Sequence, residues 1–218
     1  MNIMPTEKSS DLEQFQTPAA IYGESWRRCR AATDLSGLPE SLHPIALRLV
    51  HSCGDATIVE SLRASPTAVA ELARACQTPA AILVDAEMVA AGIIRRLLPL
   101  AKPVICTLSQ IATAPASDTR SAAAVGLWRD WLNSDSIVVI GNAPTALARL
   151  LRLVDSEVLP RPAVVIGFCV GFVAAAEAKA RLMARTDVPW LALAGRRGGS
   201  GLAAAAVNAG AAAVREMP

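Results

Sequence analysis

From residue 80 onward, short uninterrupted apolar runs alternate with longer alanine-rich stretches. The runs are Ala80–Asp85, Pro103–Leu108, Ser136–Gly141, Pro162–Gly167 and Pro189–Ala194. β-Branched residues recur in them, and Gly, Pro or polar residues punctuate their ends, which is the pattern of strands. The runs are continuous, not alternating, so both faces of the sheet should be covered. The stretches Glu87–Leu98, Arg120–Leu132, Pro144–Leu153, Val173–Met183 and Gly199–Ala213 read as helices. Strand–helix alternation of this kind gives a parallel sheet between two helical layers, and right-handed crossovers wind it in both directions. The pattern therefore predicts an α/β chain: a three-layer α/β/α architecture with a mostly parallel, doubly wound sheet of about five strands.

The front of the chain is organised differently. Residues 1–17 are polar and predict a flexible N-terminal arm, leaving residues 18–218 as a single α/β domain. Ala19–Cys53 reads as mostly helical, with Pro39 where a second helix would start. Leu42, Ile45, Ala46, Leu49 and Val50 give that helix an apolar stripe. Ser65 and Pro66 open another helix over Thr67–Cys76.

Composition narrows the functional classes. The 218 residues are 53% hydrophobic and 18% charged, which suits one sizeable core and argues against disorder. Net charge is +2 and aromatics are 4%, with no basic run, so nucleic acid is not expected as a partner. The longest apolar stretch, near Ala163–Ala176, is interrupted by glycine and too short to span a membrane, which takes about 20 residues. It reads as a buried strand, a turn and a helix start. The N-terminus lacks an apolar segment of the secretory type, and no membrane association is expected. The five scattered cysteines form no CxxC, which fits a reduced, cytoplasmic setting.

Ligands of open α/β sheets bind beyond the carboxyl ends of the strands. Here those ends carry Asp85 to Met88, Gly141 to Thr145, Gly167 to Gly171 and Gly195 to Ser200. Gly198, Gly199 and Ser200 open a helix behind Arg196 and Arg197. Free N–H groups at such a start attract anions, and Arg binds carboxylates bidentately. The same segment also reads as an ordinary glycine-rich turn with solvated arginines. Asn142 is either a helix cap or a hydrogen-bond partner for a ligand. Thr119, Arg120 and Ser121 open another helix. Asp85 and Glu87 follow a strand as paired carboxylates, or as a cap and a first-turn acid on the helix after them.

Two histidines are present, His43 and His51. On one helix they lie about 80° and about 12 Å apart, which does not make a metal pair, and no third ligand follows at metal spacing. His43 reads as a surface or capping residue near a helix start. His51 stands in a last helical turn before Gly54. There it is either a capping side chain favoured by the helix dipole or a general acid. Cys53 is two residues on, the wrong spacing to face His51, and reads as a buried structural thiol. Neither GxGxxG nor a Walker A sequence is present, so NAD and NTP enzymes lack their fingerprints.

Taken in order, several segments resemble one family. They are Ile21-Tyr22 with Ser25, Val50-His51-Ser52-Cys53-Gly54, Asp85-Ala86-Glu87-Met88-Val89, Thr119-Arg120-Ser121-Ala122-Ala123 and Gly141-Asn142-Ala143-Pro144-Thr145-Ala146-Leu147. Gly171-Phe172-Val173 with Glu177 and Lys179, and Gly195-Arg196 with Gly198-Gly199-Ser200, complete the set. The family they resemble is precorrin-8X methylmutase, over about residues 20–208. Cys169 and Trp26 depart from its usual residues, which bears on the shape of the pocket.

The resemblance implies a three-layer α/β/α homodimer that acts on a tetrapyrrole of cobalamin biosynthesis. One methyl would move from C-11 to C-12 of precorrin-8X to give hydrogenobyrinate, or cobyrinate from a cobalt-bearing substrate. It implies His51 as proton donor and acceptor and Ser25 as a substrate-binding serine. Tyr22, Met88, Arg120, Ser121, Asn142, Thr145, Val170, Gly171, Arg196, Gly199 and Ser200 are the further expected substrate-binding residues. A [1,5]-sigmatropic methyl shift needs no redox cofactor and no metal. A non-catalytic tetrapyrrole carrier, or a nucleotide enzyme using Gly195–Ser200 as a phosphate loop, are the alternatives.

Overall fold

The computed structural model describes residues 17–98, 102–114, 116 and 118–216. Apart from Thr17, the expected N-terminal arm lies outside the described residues. Eight helices are described: α1 (Pro18–Ala32), α2 (His43–Cys53), α3 (Ala68–Cys76), α4 (Glu87–Gly92), α5 (Arg120–Val125), α6 (Pro144–Asp155), α7 (Ala175–Met183) and α8 (Ser200–Glu216). The strands are β1 (Leu62–Ala64), β2 (Ile82–Val84), β3 (Val104–Cys106), β4 (Ile137–Ile140), β5 (Val164–Gly167) and β6 (Trp190–Leu193). They form one sheet in the order β1-β6-β5-β4-β2-β3.

All pairings are parallel except that of β1 with β6. The five parallel strands are the five expected apolar runs. The sixth, β1, was not expected. It is three residues long, with Leu62 buried and Arg63 exposed, and carries no apolar run. Its place comes from pairing, Leu62 opposite Leu193, and not from its own pattern.

The continuous apolar runs sort by alternation onto two faces. Ile82, Val84, Ile137, Val139, Val164, Ile166, Leu191 and Leu193 join the core beneath α2, α3, α4 and α8. Leu83, Val138, Ile140, Val165 and Ala192 join the core beneath α5, α6 and α7. The period-two alternation of strand side chains thus makes both layers from one run. α1 lies outside these layers, packed on α2, and none of its residues is buried.

Three helices are shorter than the pattern predicts. α4 stops at Gly92, where a Cβ would stand 2.7 Å from Ala204 Cβ, because α4 and α8 approach too closely for a side chain. After α5 the chain tightens into a 3-10 turn that buries Trp128, whose indole N–H donates to Thr107 Oγ1 at 3.0 Å. α7 starts two residues late, since Ala174 adopts a left-handed φ of 62°. Cys53 is exposed, contrary to the expected buried thiol, because the last turn of α2 runs past the packed part of that helix.

β3 and β4 flank β2, so the winding reverses between β2 and β4. Asp85 sits at this reversal, 2% exposed. Its carboxylate accepts from the backbone N–H of Gly141 at 2.8 Å, Asn142 at 3.0 Å and Ala143 at 2.7 Å. It therefore serves the turn before α6 and not its own helix, whose N-cap Ala86 has no side-chain bond. Burial pushes the Asp85 carboxyl above its ordinary pKa, and the three N–H donors pull it part of the way back. At the other end of the sheet, Arg185 and Arg161 both hold Asp187, just ahead of β6.

Asp85→Ala leaves three inward N–H groups without an acceptor. It should destabilise the fold by about 3 kcal/mol or more in urea unfolding, with Asp85→Asn less costly because one oxygen remains. Asp187 titrates from its ordinary 3.8 down to about 2 in the fold, through Arg185 first and then Arg161. The unfolded chain therefore binds more protons between those values, and this stabilisation is lost as pH falls through them. Acid-unfolding curves of Asp187→Asn should be flatter than wild type over that interval alone.

Candidate active site

α2 presents one residue at its end. Ile45, Ala46, Leu47, Leu49 and Val50 are buried, and Gly54 closes the helix in the left-handed region, φ 69°, with its N–H donating to Val50 O at 2.8 Å. Only glycine takes that conformation without strain. His51 is thus held in the last turn, half-buried. The next residues are anchored from across the molecule. Arg197 pairs with Asp55 and donates to Thr57 O at 3.0 Å and Thr57 Oγ1 at 2.9 Å. The end of α2 is thereby tied to the loop between β6 and α8, at the carboxyl edge of the sheet.

α1 supplies the other half of the surroundings of His51. Ser25 Oγ lies 3.2 Å from His51 Nδ1. Its hydroxyl accepts when Nδ1 carries a proton and donates when Nδ1 does not. Trp26 stacks on the imidazole with centroids 4.6 Å apart and planes within 6°. Tyr22 meets His51 edge-on at 5.8 Å and Trp26 at 6.0 Å. Arg48, one turn before His51, stands 5.0 Å from the Trp26 ring and donates to Tyr22 Oη at 3.4 Å. The Trp26 indole beside its hydroxyl lowers the Tyr22 pKa, burial opposes this, and Arg48 and Arg96 add to the lowering.

In front of His51 is an open cavity of about 760 Å³. Its walls include Tyr22 of α1, Arg48 and His51 of α2, Arg96 and Leu97 after α4, and Gly201 and Asn208 of α8. Asn208 fixes one wall, since its side chain accepts from Ile94 N–H at 2.8 Å and donates to Gly92 O at 3.0 Å. A half-buried imidazole with a hydroxyl at one nitrogen, beside a partly apolar cavity flanked by arginines, can move a proton to or from a bound anionic molecule.

The sequence-predicted residues fall into three places. His51 and Tyr22 line this cavity, Ser25 touches His51 but lines a separate hollow with Ile21, Glu24 and Arg28, and Ser200, largely buried, precedes the Gly201 wall. Asn142, Val170, Gly171 and Arg196 form a neighbouring rim at the strand ends. Val170 N–H donates to Asn142 O at 3.4 Å and Gly171 N–H to Arg196 O at 3.2 Å. Arg196 stands 5.2 Å from the Phe172 ring, and Met88 is exposed. Neither Met88 nor this rim lines the His51 cavity. Thr145 belongs to a third place, a separate cavity of about 390 Å³, where its Oγ1 is 2.8 Å from that of Thr119. Ser121 lies on α5 beside it, and the guanidinium of Arg120 donates to Ile111 O at 2.8 Å and Leu108 O at 3.4 Å.

Two of the donors expected of the glycine-rich turn are used within the protein. Gly199 N–H donates to Phe168 O at 2.8 Å, and Arg197 serves Asp55 and Thr57. Lys179, fully buried in α7, donates to Arg197 O at 2.6 Å, and burial lowers its pKa. Asp85 and Glu87 diverge, one buried and one exposed, so they are not a working pair.

Sequence reasoning missed Arg48, Trp26 as the stacking partner of His51, Arg96 and Asn208. Arg48 was legible from its i, i+3 spacing to His51. Asn208 was legible as one amide in an otherwise apolar helix stretch. Arg96 carried no signal, because it lies past a helix end that the pattern did not place.

Comparison with known proteins bears on the chemistry. The profile of the precorrin-8X methylmutase family matches residues 20–212. The chain is 50% identical over 204 residues to the precorrin-8X methylmutase of Pseudomonas aeruginosa, covering 91% of this chain and 97% of the relative. It is 35% identical over 179 residues to the cobalt-precorrin-8 methylmutase of Methanothermobacter thermautotrophicus, covering 81% of this chain and 82% of the relative. The crystal structure of the precorrin-8X methylmutase from Thermus thermophilus matches with a TM-score of 0.79 at 35% identity, over 88% of this chain and 94% of that one. The chain therefore belongs to the precorrin-8X methylmutase family, the isomerases of this step in cobalamin biosynthesis.

Proposed function

We propose that this chain moves one methyl group from C-11 to C-12 of precorrin-8X, giving hydrogenobyrinate, with His51 as the acid. The observation that carries the reading is the position of His51. It lines the large open cavity between α1, α2, α8 and the segment after α4, with Ser25 Oγ 3.2 Å from its Nδ1. Relatives at 50% and 44% identity bear the precorrin-8X name, whereas those named for the cobalt form are at 37% or below. This favours the cobalt-free substrate.

The reaction is an isomerisation, so substrate and product have the same atoms and the same charge. A proton from the His51 nitrogen not held by Ser25 enters the conjugated macrocycle and makes the framework electron-poor. The methyl migrates with its bonding pair from one ring carbon to its neighbour. The proton then returns to His51. Ser25 Oγ accepts from Nδ1–H of the charged ring and still accepts from it once the other nitrogen has given up its proton, so one geometry serves both states. General acid help is worth about 10²–10⁴-fold. The remaining acceleration comes from holding the macrocycle in its reactive geometry.

The substrate carries several carboxylates. Arg48 and Arg96, both at the cavity wall, are the cations placed to receive them. Met88, Val170, Phe172 and Val173 expose apolar surface at the strand ends, with Phe172 89% exposed. A second copy in a homodimer would cover them. The cytoplasm is the expected setting.

His51→Asn should bind hydrogenobyrinate with wild-type affinity and lose conversion by about 10²-fold or more. Conversion of precorrin-8X at the wild-type rate would refute the acid role. If the wild-type chain bound the tetrapyrrole in single-turnover absorption spectra without changing it, the protein would be a carrier. Arg96→Ala should raise KM by about tenfold with kcat little changed, as expected for a lost contact made equally in ground and transition states. Phe172→Asp should shift the sedimentation coefficient from dimer to monomer.

A further inference from the structure

Three contacts hold the His51 ring, each on a different part of it. Ser25 holds one nitrogen, Trp26 covers one face in parallel, and Tyr22 meets it edge-on. A hydrogen bond at one nitrogen alone lets an imidazole pivot about that bond. A stacked indole removes the pivot, because rotation of the ring would break the parallel contact.

Trp26 does not line the cavity in front of His51. It lines an adjoining cavity of about 440 Å³ between α1, α2 and α8, whereas Tyr22 and Arg48 line both. The indole therefore stands behind the imidazole and not in the substrate's path. Nor is it a core residue, since α1 buries none of its side chains. Trp26 in turn is fixed by Tyr22 edge-on and by the Arg48 guanidinium 5.0 Å from its ring. A large aromatic that neither fills the core nor meets the substrate, yet lies flat on the catalytic ring, has a geometric task.

We propose that Trp26 is a positioning residue: its indole, stacked on His51 from the adjoining cavity, fixes the imidazole plane so that the nitrogen not held by Ser25 faces the reaction cavity. This rests on His51 being the acid. Misplacing a reacting group by about 1 Å costs on the order of 10²-fold, so loss of the stack should act on kcat. KM should hold, because Trp26 is absent from the substrate-side wall.

The test uses the full chain with Trp26→Leu and Trp26→Phe. Steady-state kinetics on precorrin-8X are paired with proton NMR of the histidine Hε1 signals. With two histidines in the chain, His43 serves as the internal control, assigned through His43→Gln. Trp26→Leu should lower kcat about ten- to a hundredfold and leave KM within about twofold. Its His51 Hε1 signal should move downfield as the indole ring current disappears, with the His43 signal in place. Trp26→Phe keeps a flat ring on the imidazole and should recover kcat to within about fivefold of wild type.

Wild-type kcat in Trp26→Leu, a loss confined to KM, or a Phe variant as impaired as Leu would each overturn the proposal. Should Trp26→Leu lack a cooperative unfolding transition, the Phe variant decides, and a kcat as low as that of His51→Asn would then overturn it. If the wild-type chain converts no precorrin-8X, the reading of His51 as acid fails. The NMR shift still reports separately whether the indole holds the ring.

Discussion

The Asp85 carboxylate at the winding reversal sets the position of everything around the site. Three backbone N–H groups of one turn converge on it, and this ties β2 to the turn that opens α6. That turn begins at Gly141, where a Cβ would stand 2.7 Å from Val89, 2.9 Å from Ala203 and 2.9 Å from the Ser200 backbone. The glycine lets α4 and α8 close over the strand ends. Once α8 is seated there, Asn208 can bridge to Gly92 and Ile94 and complete one wall of the cavity. In an open α/β sheet the crevice at the reversal is the usual ligand site. Here a protein carboxylate takes the donors that such a ligand would use.

The same economy runs through the other loops at the strand ends. The N–H of Gly199 goes to Phe168 O, Lys179 goes to Arg197 O, and Arg197 goes to the segment after α2. These bonds satisfy buried groups that would otherwise be costly. They also tie the loops at the edge of the sheet to one another. Arg48 of α2 and Arg96 after α4 stand at the cavity wall with His51, to one side of that edge.

How much of this was legible follows from what each feature depends on. The five parallel strands and their two-faced burial were legible because a run such as Ile137–Ile140 must be apolar at every position to sit between two layers. β1 was not, because its only qualification is a free edge beside β6. Asp85 read as a cap for its own helix, since nothing local reveals that the acceptor will face a turn 56 residues later in the chain. The local pattern left His51 open between cap and acid, and nothing in it shows that α1 brings Ser25 across to the ring. The ordered family segments pointed to Ser25 and His51. They gave no view of the Trp26 stack, which is a contact between helices and leaves no periodic mark in either.

The site is thus built from two helices of unequal anchorage. α2 is fastened through its buried stripe, and His51 inherits that rigidity. α1 buries no residue in the core, and its contacts to the rest of the molecule centre on α2. Segments with few buried contacts open at low free-energy cost. The forces that dock α1 include those around the imidazole, namely the Ser25 hydroxyl, the Trp26 stack, the Tyr22 edge and the Arg48 contacts, together with Cys29, which packs on the core and donates to Leu47 O at 3.5 Å. Placement of Ser25 and Trp26 on the His51 ring and docking of α1 are one event, and whatever separates α1 from α2 frees the imidazole at the same moment.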